Sequence, residues 1–299
     1  MRAFVIKVSV FGMIAILCHF AAGYFMNGHT DSNYLRFLKH PNKGMIIGTS
    51  RTAQEICPDD LNLHPGLFNA GFSMMTSPYG EAYTAYIFRQ LDTTRKDQTF
   101  VLCVDPWSLS SLFDTIGGTE IWTENDKMVA QTRSLMSPNW EYLIEQYAYG
   151  WGNIVLEHYR PTQGMVLHDN GWLEVQRQYD PVKAKVRQGG KLENYKKDVG
   201  SGRRPSPARW EALKNLIHQL QPLGKVMLIR IPCSPEFRAF EQQFWMDFDQ
   251  RMLDLGKEEK VRYWNPEELN SVLPFNDGHH MNYVGAHQFS KLLDVELGR

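Results

Sequence analysis

Three apolar runs, each closed by glycine or proline, limit what this chain can fold into more than any other feature. They are "GMIIG" (44–48), "QTFVLCVDP" (98–106) and "GKVMLIRIP" (224–232). None of them alternates polar with apolar residues, so the strands they predict have no face intended for water. Continuous hydrophobic strands of this kind belong to a parallel sheet covered by helices on both faces. The segments between them agree. A helix is expected from about Arg51, and Pro58 must end it. Another is expected over "SPYGEAYTAYIFRQL" (77–91), where Pro78 suits a first turn. Further helices are expected at 206–220, as one long element at about 235–255, and at 282–297 as the last element. "GLFNAGFS" (66–73) and "KVRYWN" (260–265) add two short strands, which makes the fold class α/β.

Residues 107–204 interrupt the rhythm. The segment is rich in Trp, Tyr, Asn and Gly, with helical stretches expected around 119–133 and 139–148. Neither end has linker composition, so it reads as an insertion or lid within a single domain spanning 28–299. Its tail, 181–204, sets eight Lys and Arg against Glu193 and Asp198. Such a run is either a solvated loop or a contact for anionic headgroups or a polyanionic acceptor. Trp107, Trp122, Trp140, Trp151 and Trp172 either fill the core of the insertion or offer flat faces to sugars.

The N-terminus carries a separate message. "VSVFGMIAILCHFAAGYFM" (8–26) contains no Asp, Glu, Lys or Arg. About 20 apolar residues cross a bilayer, and Ala3 to Met26 suffices if Lys7 snorkels. Tyr24 and Phe25 sit where interfacial aromatics belong. Residues 1–27 are therefore expected to form a transmembrane signal anchor with the rest of the chain extracytoplasmic. A cleaved signal peptide is the alternative, with "FAAG" as the cleavage site.

Composition excludes several classes. The 299 residues are 43% hydrophobic and 22% charged, ample for a core, and a net charge of −1 argues against a nucleic-acid partner. Four cysteines without a CxxC pair argue against a zinc knuckle or a thioredoxin-like site. No metal or cofactor is expected.

The chemistry concentrates in two places. Ser50 ends the first strand abruptly in "GTSR", and "NDGHHMNYVGAHQFS" (276–290) places Asp277 three residues before His280. Loops at the carboxyl ends of parallel strands converge on one edge, so these residues can meet there. A neutral imidazole can take the serine proton while the carboxylate fixes its tautomer. The expected triad is Ser50, His280 and Asp277. Each member also has a plainer reading: Ser50 as a helix N-cap, Asp277 as part of an Asp-Gly turn, Asn282 as the cap of the last helix. His279 is the adjacent candidate base. A metal cluster of Asp277, His279, His280 and "HDN" (168–170) is a further, less expected arrangement.

With "GTSR", "NAGFS" (69–73) and "DGHHMNYVG" (277–285) in this order, the chain resembles the SGNH (GDSL-like) hydrolase superfamily. Its N-terminal anchor and a strand ending in Asp-Pro are similar to membrane-anchored members of the DltD type and to accessory proteins of exopolysaccharide O-acetylation. The resemblance covers roughly 43–106 and 224–297. It implies a flavodoxin-like three-layer α/β/α fold and ester or acyl-transfer chemistry on a glycan or polyol phosphate polymer. It also implies a membrane-bound O-acyltransferase as partner. One block departs from the pattern. Where the superfamily has a G-x-N-D motif, this chain reads "VLCVDPWS", with Asp105 and no Asn. The oxyanion hole would then rest on the backbone N–H groups of Ser50 and Gly71. Arg51, Asn69 and Asp105 would order the site or touch substrate.

Overall fold

The three apolar runs lie side by side in one sheet. The computed structural model describes residues 1–73, 77–114, 118–161 and 164–299. Its strands are β1 (Gly44–Ile47), β2 (Phe68–Asn69), β3 (Gln98–Cys103), β4 (Ser110–Phe113), β5 (Glu120–Ile121), β6 (Met165–Leu167), β7 (Leu173–Val175), β8 (Arg203–Pro205), β9 (Gly224–Ile229) and β10 (Arg262–Trp264). Its helices are α1 (Arg2–Gly23), α2 (Ser50–Glu55), α3 (Glu81–Gln90), α4 (Met128–Gln131), α5 (Trp140–Glu145), α6 (Trp151–Tyr159), α7 (Pro181–Gly200), α8 (Pro207–Leu220), α9 (Pro235–Phe244), α10 (Phe248–Glu258) and α11 (Tyr283–Leu297).

The main sheet has five parallel strands in the order β10-β9-β3-β1-β2. Successive side chains of a strand face opposite ways, and the apolar runs use both directions. Met45, Ile47, Phe100, Leu102 and Leu228 join one buried cluster, which continues into α3, α8 and α10. Ile46, Val101, Cys103, Met227 and Ile229 join a second, with Phe289, Leu293 and Leu297 of α11. An α/β architecture with a parallel sheet buried on both faces is thus what the uninterrupted runs predict. The chain leaves β1 with β2 on one side and β3 on the other, and this switch in direction opens a crevice at the carboxyl edge.

The segment 107–204 carries its own structure. β5, β4 and β8 form an antiparallel sheet, and β6 pairs with β7 as a hairpin. Three expectations change here and nearby. The stretch 119–133 is mostly not helical. It holds β5, a 3-10 turn and only the short α4, because Trp122 stacks on Arg209 and Glu124 pairs with the same guanidinium. The expected long helix at 235–255 is two helices. Trp245 leaves helical geometry between them, which buries its ring against Phe248. The basic tail is not a loop. It forms the 20-residue α7, started by Pro181 and capped by Asp180, whose side chain accepts from the Val182 and Lys183 amides.

α1 is long and apolar enough to cross a membrane, and none of its most apolar stretch is covered by the rest of the chain. Only its last turn, at Ala22 and Gly23, is buried.

Candidate active site

Residues 230 positions apart in the chain meet at the carboxyl edge of the sheet. The Ser50 hydroxyl lies 2.9 Å from His280 Nε2, and His280 Nδ1 lies 3.0 Å from Asp277 Oδ2. Ser50 is the first residue of α2, while Thr49 occupies the cap position without a capping bond. The serine hydroxyl is therefore engaged with the imidazole rather than with its own helix.

The loop after β10 is built tightly enough to hold the other two groups. Asn276 and His280 close a short turn through an N–H to carbonyl bond of 2.8 Å, and Phe275 bridges to Met281. Inside it, Asp277 Oδ1 accepts from the amides of His279 (3.1 Å) and His280 (2.7 Å), leaving Oδ2 for the imidazole. Gly278 has φ +75°, and a Cβ there would meet Gln188 of α7 at 2.6 Å and Ser234 at 2.9 Å. Only glycine fits both the left-handed backbone and that gap. Asn282 caps α11 through the Gly285 amide.

Electrostatics favour a neutral base beside an ionised acid. Burial pulls the His280 imidazole below its ordinary value, and Asp277 only partly offsets this. Burial alone would raise Asp277, but His280 and Lys191 outweigh it and hold the carboxyl well below the usual range. His279 is pulled well down, chiefly by burial, and is neutral. It takes no part in the Ser50 relay. It sits against Tyr195, whose hydroxyl is 3.1 Å from Nε2, and against the Phe237 ring.

The remaining expected site residues are braces. Asn69 donates to the Thr52 and Ile56 carbonyls at 2.7 Å each, tying β2 to the end of α2. The Gly71 amide donates to Asn69 Oδ1 at 3.0 Å. That amide is bonded within the fold, and Gly71 is not among the residues that line the cavity over Ser50, so nothing here supports the expected oxyanion role. A Cβ on Gly71 would meet the Ala53 amide at 2.5 Å, so this glycine serves a close backbone approach. Arg51 is fully buried, 3.3 Å from both Asp105 Oδ2 and Glu241 Oε1, and also donates to the Ile231 carbonyl. Glu241 in turn pairs with Arg230 at 2.7 Å. Asp105 also accepts from the Ser108 amide at 2.7 Å. Burial raises its pKa, with Arg51 pulling the other way. Asp105 thus pairs with Arg51 and also lines the cavity over Ser50, where a substrate could reach it.

A cavity of about 390 Å³ opens over Ser50. Residues of the insertion close much of it, including Trp107, Arg177, Lys191, Asn194 and Tyr195. The sequence pointed to the basic segment but not to its contacts. Lys191 Nζ is 3.6 Å from Asp277 Oδ2, Arg187 donates to the Asn276 carbonyl, and Lys185 pairs with Glu236. Among the five tryptophans only Trp107 lines the cavity. Trp172 donates to the Gln54 carbonyl, Trp122 stacks on Arg209, and Trp140 and Trp151 contact α1.

The alternative metal cluster does not assemble. His168 pairs with Glu174 and stacks on Trp172. Among the described residues, the one group of three metal-type ligands is Cys57, Asp60 and His287, none of which lines the cavity. No family model matches this chain, and no curated protein matches it in sequence.

Proposed function

We propose that this protein is a membrane-anchored serine acyltransferase or esterase that handles acyl esters of a cell-envelope or exported polysaccharide. One observation carries the reading: Ser50, His280 and Asp277 form a continuous hydrogen-bonded relay at the mouth of a cavity. The order Ser…Asp…His, on the ends of the first and last parallel strands, supports the resemblance to the SGNH superfamily and its three-layer fold.

In this reading His280 removes the Ser50 proton as the hydroxyl attacks an ester carbonyl. The imidazolium returns that proton to the departing alcohol, which leaves an acyl-serine. His280 then deprotonates a hydroxyl of the acceptor, or water, and the acyl group moves on while Ser50 recovers its proton. With the Gly71 amide occupied, the first N–H groups of α2, which have no intrahelical acceptor, are the donors left to face the oxyanion. Loss of one such donor typically lowers rate by about a hundredfold or more. This favours slow turnover, whichever hydroxyl attacks the acyl-serine. Arg177, Lys191 and Arg203, the cations that line the cavity, suit a polyanionic acceptor such as a polyol phosphate polymer. In this reading α1 is a signal anchor with the rest of the chain extracytoplasmic, where a membrane-bound O-acyltransferase would deliver the acyl group.

A fluorophosphonate probe tests the chemistry. The full-length protein in detergent should label at Ser50, and Ser50→Ala should not. An unreactive wild-type serine would return the chain to a binding or assembly role. Direction is tested in cells: deleting the protein should lower envelope acylation, whereas a rise would identify a deacylase.

A further inference from the structure

The insertion does more than cover Ser50. It also surrounds the point where α1 leaves the domain. Trp140 of α5 donates to the Phe20 carbonyl at 3.4 Å, and Trp151 of α6 donates to the His19 ring at 3.1 Å. Phe20 packs edge-on against Trp140 at 4.8 Å, and Phe25 against His158 at 5.5 Å. A Cβ on Gly23 would meet Trp140 at 2.9 Å, so the close seating of α1 on α5 depends on that glycine. The base of α1 is thus clamped to α5 and α6.

The outward side of α6 is apolar, and α5 exposes Ile144 next to the charged Glu145 at its end. On α6, Ile154 and Glu157 face inward and are buried, while Trp151, Val155, Leu156 and Tyr159 are exposed. That exposed half of α6 carries no charged residue between Trp151 and Tyr159. Ile144 of α5 and Tyr149 in the connecting turn extend the patch, and Ile144 and Tyr159 are 69% and 68% exposed. A contiguous exposed apolar patch calls for an occupant. Tryptophan and tyrosine concentrate at the membrane–water interface, where an apolar ring body and a polar tip are both satisfied.

We infer that α6, with the end of α5, lies in the interfacial layer of the bilayer that α1 enters, so that the domain rests on the membrane at two rigidly joined places. The occupant is lipid because the patch is continuous with the uncovered apolar surface of α1 and is clamped to it by hydrogen bonds. A single spanning helix would leave the domain free to swing. The second contact fixes the tilt of the cavity relative to the lipid surface. An amphipathic helix seated this way sinks its apolar face roughly 5–10 Å into the headgroup boundary. The inference rests on α1 spanning the membrane.

The test uses the full chain in phosphatidylcholine–phosphatidylglycerol vesicles, with a single environment-sensitive fluorophore on cysteine. Cys18, exposed on α1, is the reporter for the anchor; Cys57, Cys103 and Cys233 are buried. In a Cys18→Ser background, Val155→Cys reports on α6 and Met246→Cys, 89% exposed, reports on a surface facing water. The expected result is blue-shifted emission at 155, lost to nitroxide-labelled lipid and untouched by aqueous iodide, with position 246 behaving in the opposite way. Iodide quenching at 155 together with lipid quenching at Cys18 would overturn the second contact and leave the anchor standing. Shielding of 155 from both quenchers would mean that a protein surface, such as a second copy, covers the patch, which also overturns it. No lipid quenching at Cys18 would remove the anchor and this inference with it.

Discussion

The sheet that carries Ser50 and the insertion that carries Lys191 meet at one cavity, yet they are held together by different physics. The central strands are buried on both faces, with Met45, Ile46, Phe100, Val101 and Leu228 at zero exposure. α7 has one buried residue in 20, Ala184. What fastens it is a set of separate contacts: the Asp180 cap, Lys185 to Glu236, Arg187 to the Asn276 carbonyl, Lys191 to Asp277, and Tyr195 against His279. Exposed ion pairs contribute little each, about 0–1 kcal/mol. Regions with few buried apolar contacts open at lower free energy than the core. The difference teaches that Ser50 and His280 are set in rigid structure while their cover is only pinned on, which the proposed function would use for substrate entry.

The largest expected effect tests the rigid half. Ser50→Ala and His280→Ala should each lower acyl transfer by on the order of 10⁴-fold or more, with the double variant no worse, because the pair acts as one unit. Thermal melts of these variants should stay close to wild type. Next is Arg51→Met, which strands Asp105 and leaves Glu241 with Arg230 alone. Breaking a buried pair from one side costs about 3–5 kcal/mol, which a urea titration reads directly. A small loss would mean the network under α2 is not the brace described.

Trp107→Ala probes the pinned half. Its ring contacts Tyr195 of α7 at 4.3 Å and stacks on Phe244 at 4.7 Å. A buried Trp truncated to Ala costs about 3 kcal/mol. Hydrogen exchange should accelerate mainly in α7 and leave β1, β3 and β9 protected. Uniform acceleration would erase the contrast between the two regions.

Lys191→Met sharpens the comparison electrostatically. Lys191 helps hold the His280 imidazole down, so its removal should move the acid limb of the rate profile to higher pH. Wild type should lose activity only below the ordinary imidazole value of 6.5. Stability follows the same sign. His279, His280 and Asp277 all bind protons more weakly folded than unfolded, so each contribution is complete above its unfolded pKa and lost as pH falls. The share of the unfolding free energy that these three groups supply should therefore decline as pH drops below 6.5, and again below 3.8 as Asp277 is reached, while the buried Asp31, Glu55 and Asp105, whose pKa values are raised, act in the opposite sense. Histidine resonances followed by NMR separate the ionisation from the rate.

The smallest effect concerns Gly189 and Gly190 in the middle of α7. A Cβ at either position meets nothing within 4 Å, so the glycines serve no packing need there. Replacing each with Ala should stabilise the helix by about 1 kcal/mol. A stiffer α7 should also slow a reaction that needs the cover to bend, seen as a fall in kcat/KM for a bulky acceptor with unchanged fluorophosphonate labelling. An unchanged kcat/KM would mean that substrate reaches Ser50 without movement of α7.

What the sequence determined by itself was local or repetitive. Continuous apolar runs announce a sheet buried on two faces because every residue in them carries the same message. Asp277 and His280 are legible as a pair because three residues of one tight loop set their spacing. α1 is legible because each of its residues from 8 to 23 is uncharged. The tertiary structure decided whatever depends on partners far away in the chain. Arg51 meets Glu241, 190 residues on, and no local signal marks either as the partner of the other. Trp245 leaves its helix because a pocket beside Phe248 awaits it. The Gly71 amide turns to Asn69 and not to the cavity, although the motif looks the same either way. The basic tail is a helix over the site because Asp277, Asn276 and Glu236 happen to lie beneath it. Spacing along a chain encodes geometry only within a turn or a loop; beyond that, packing selects the partner.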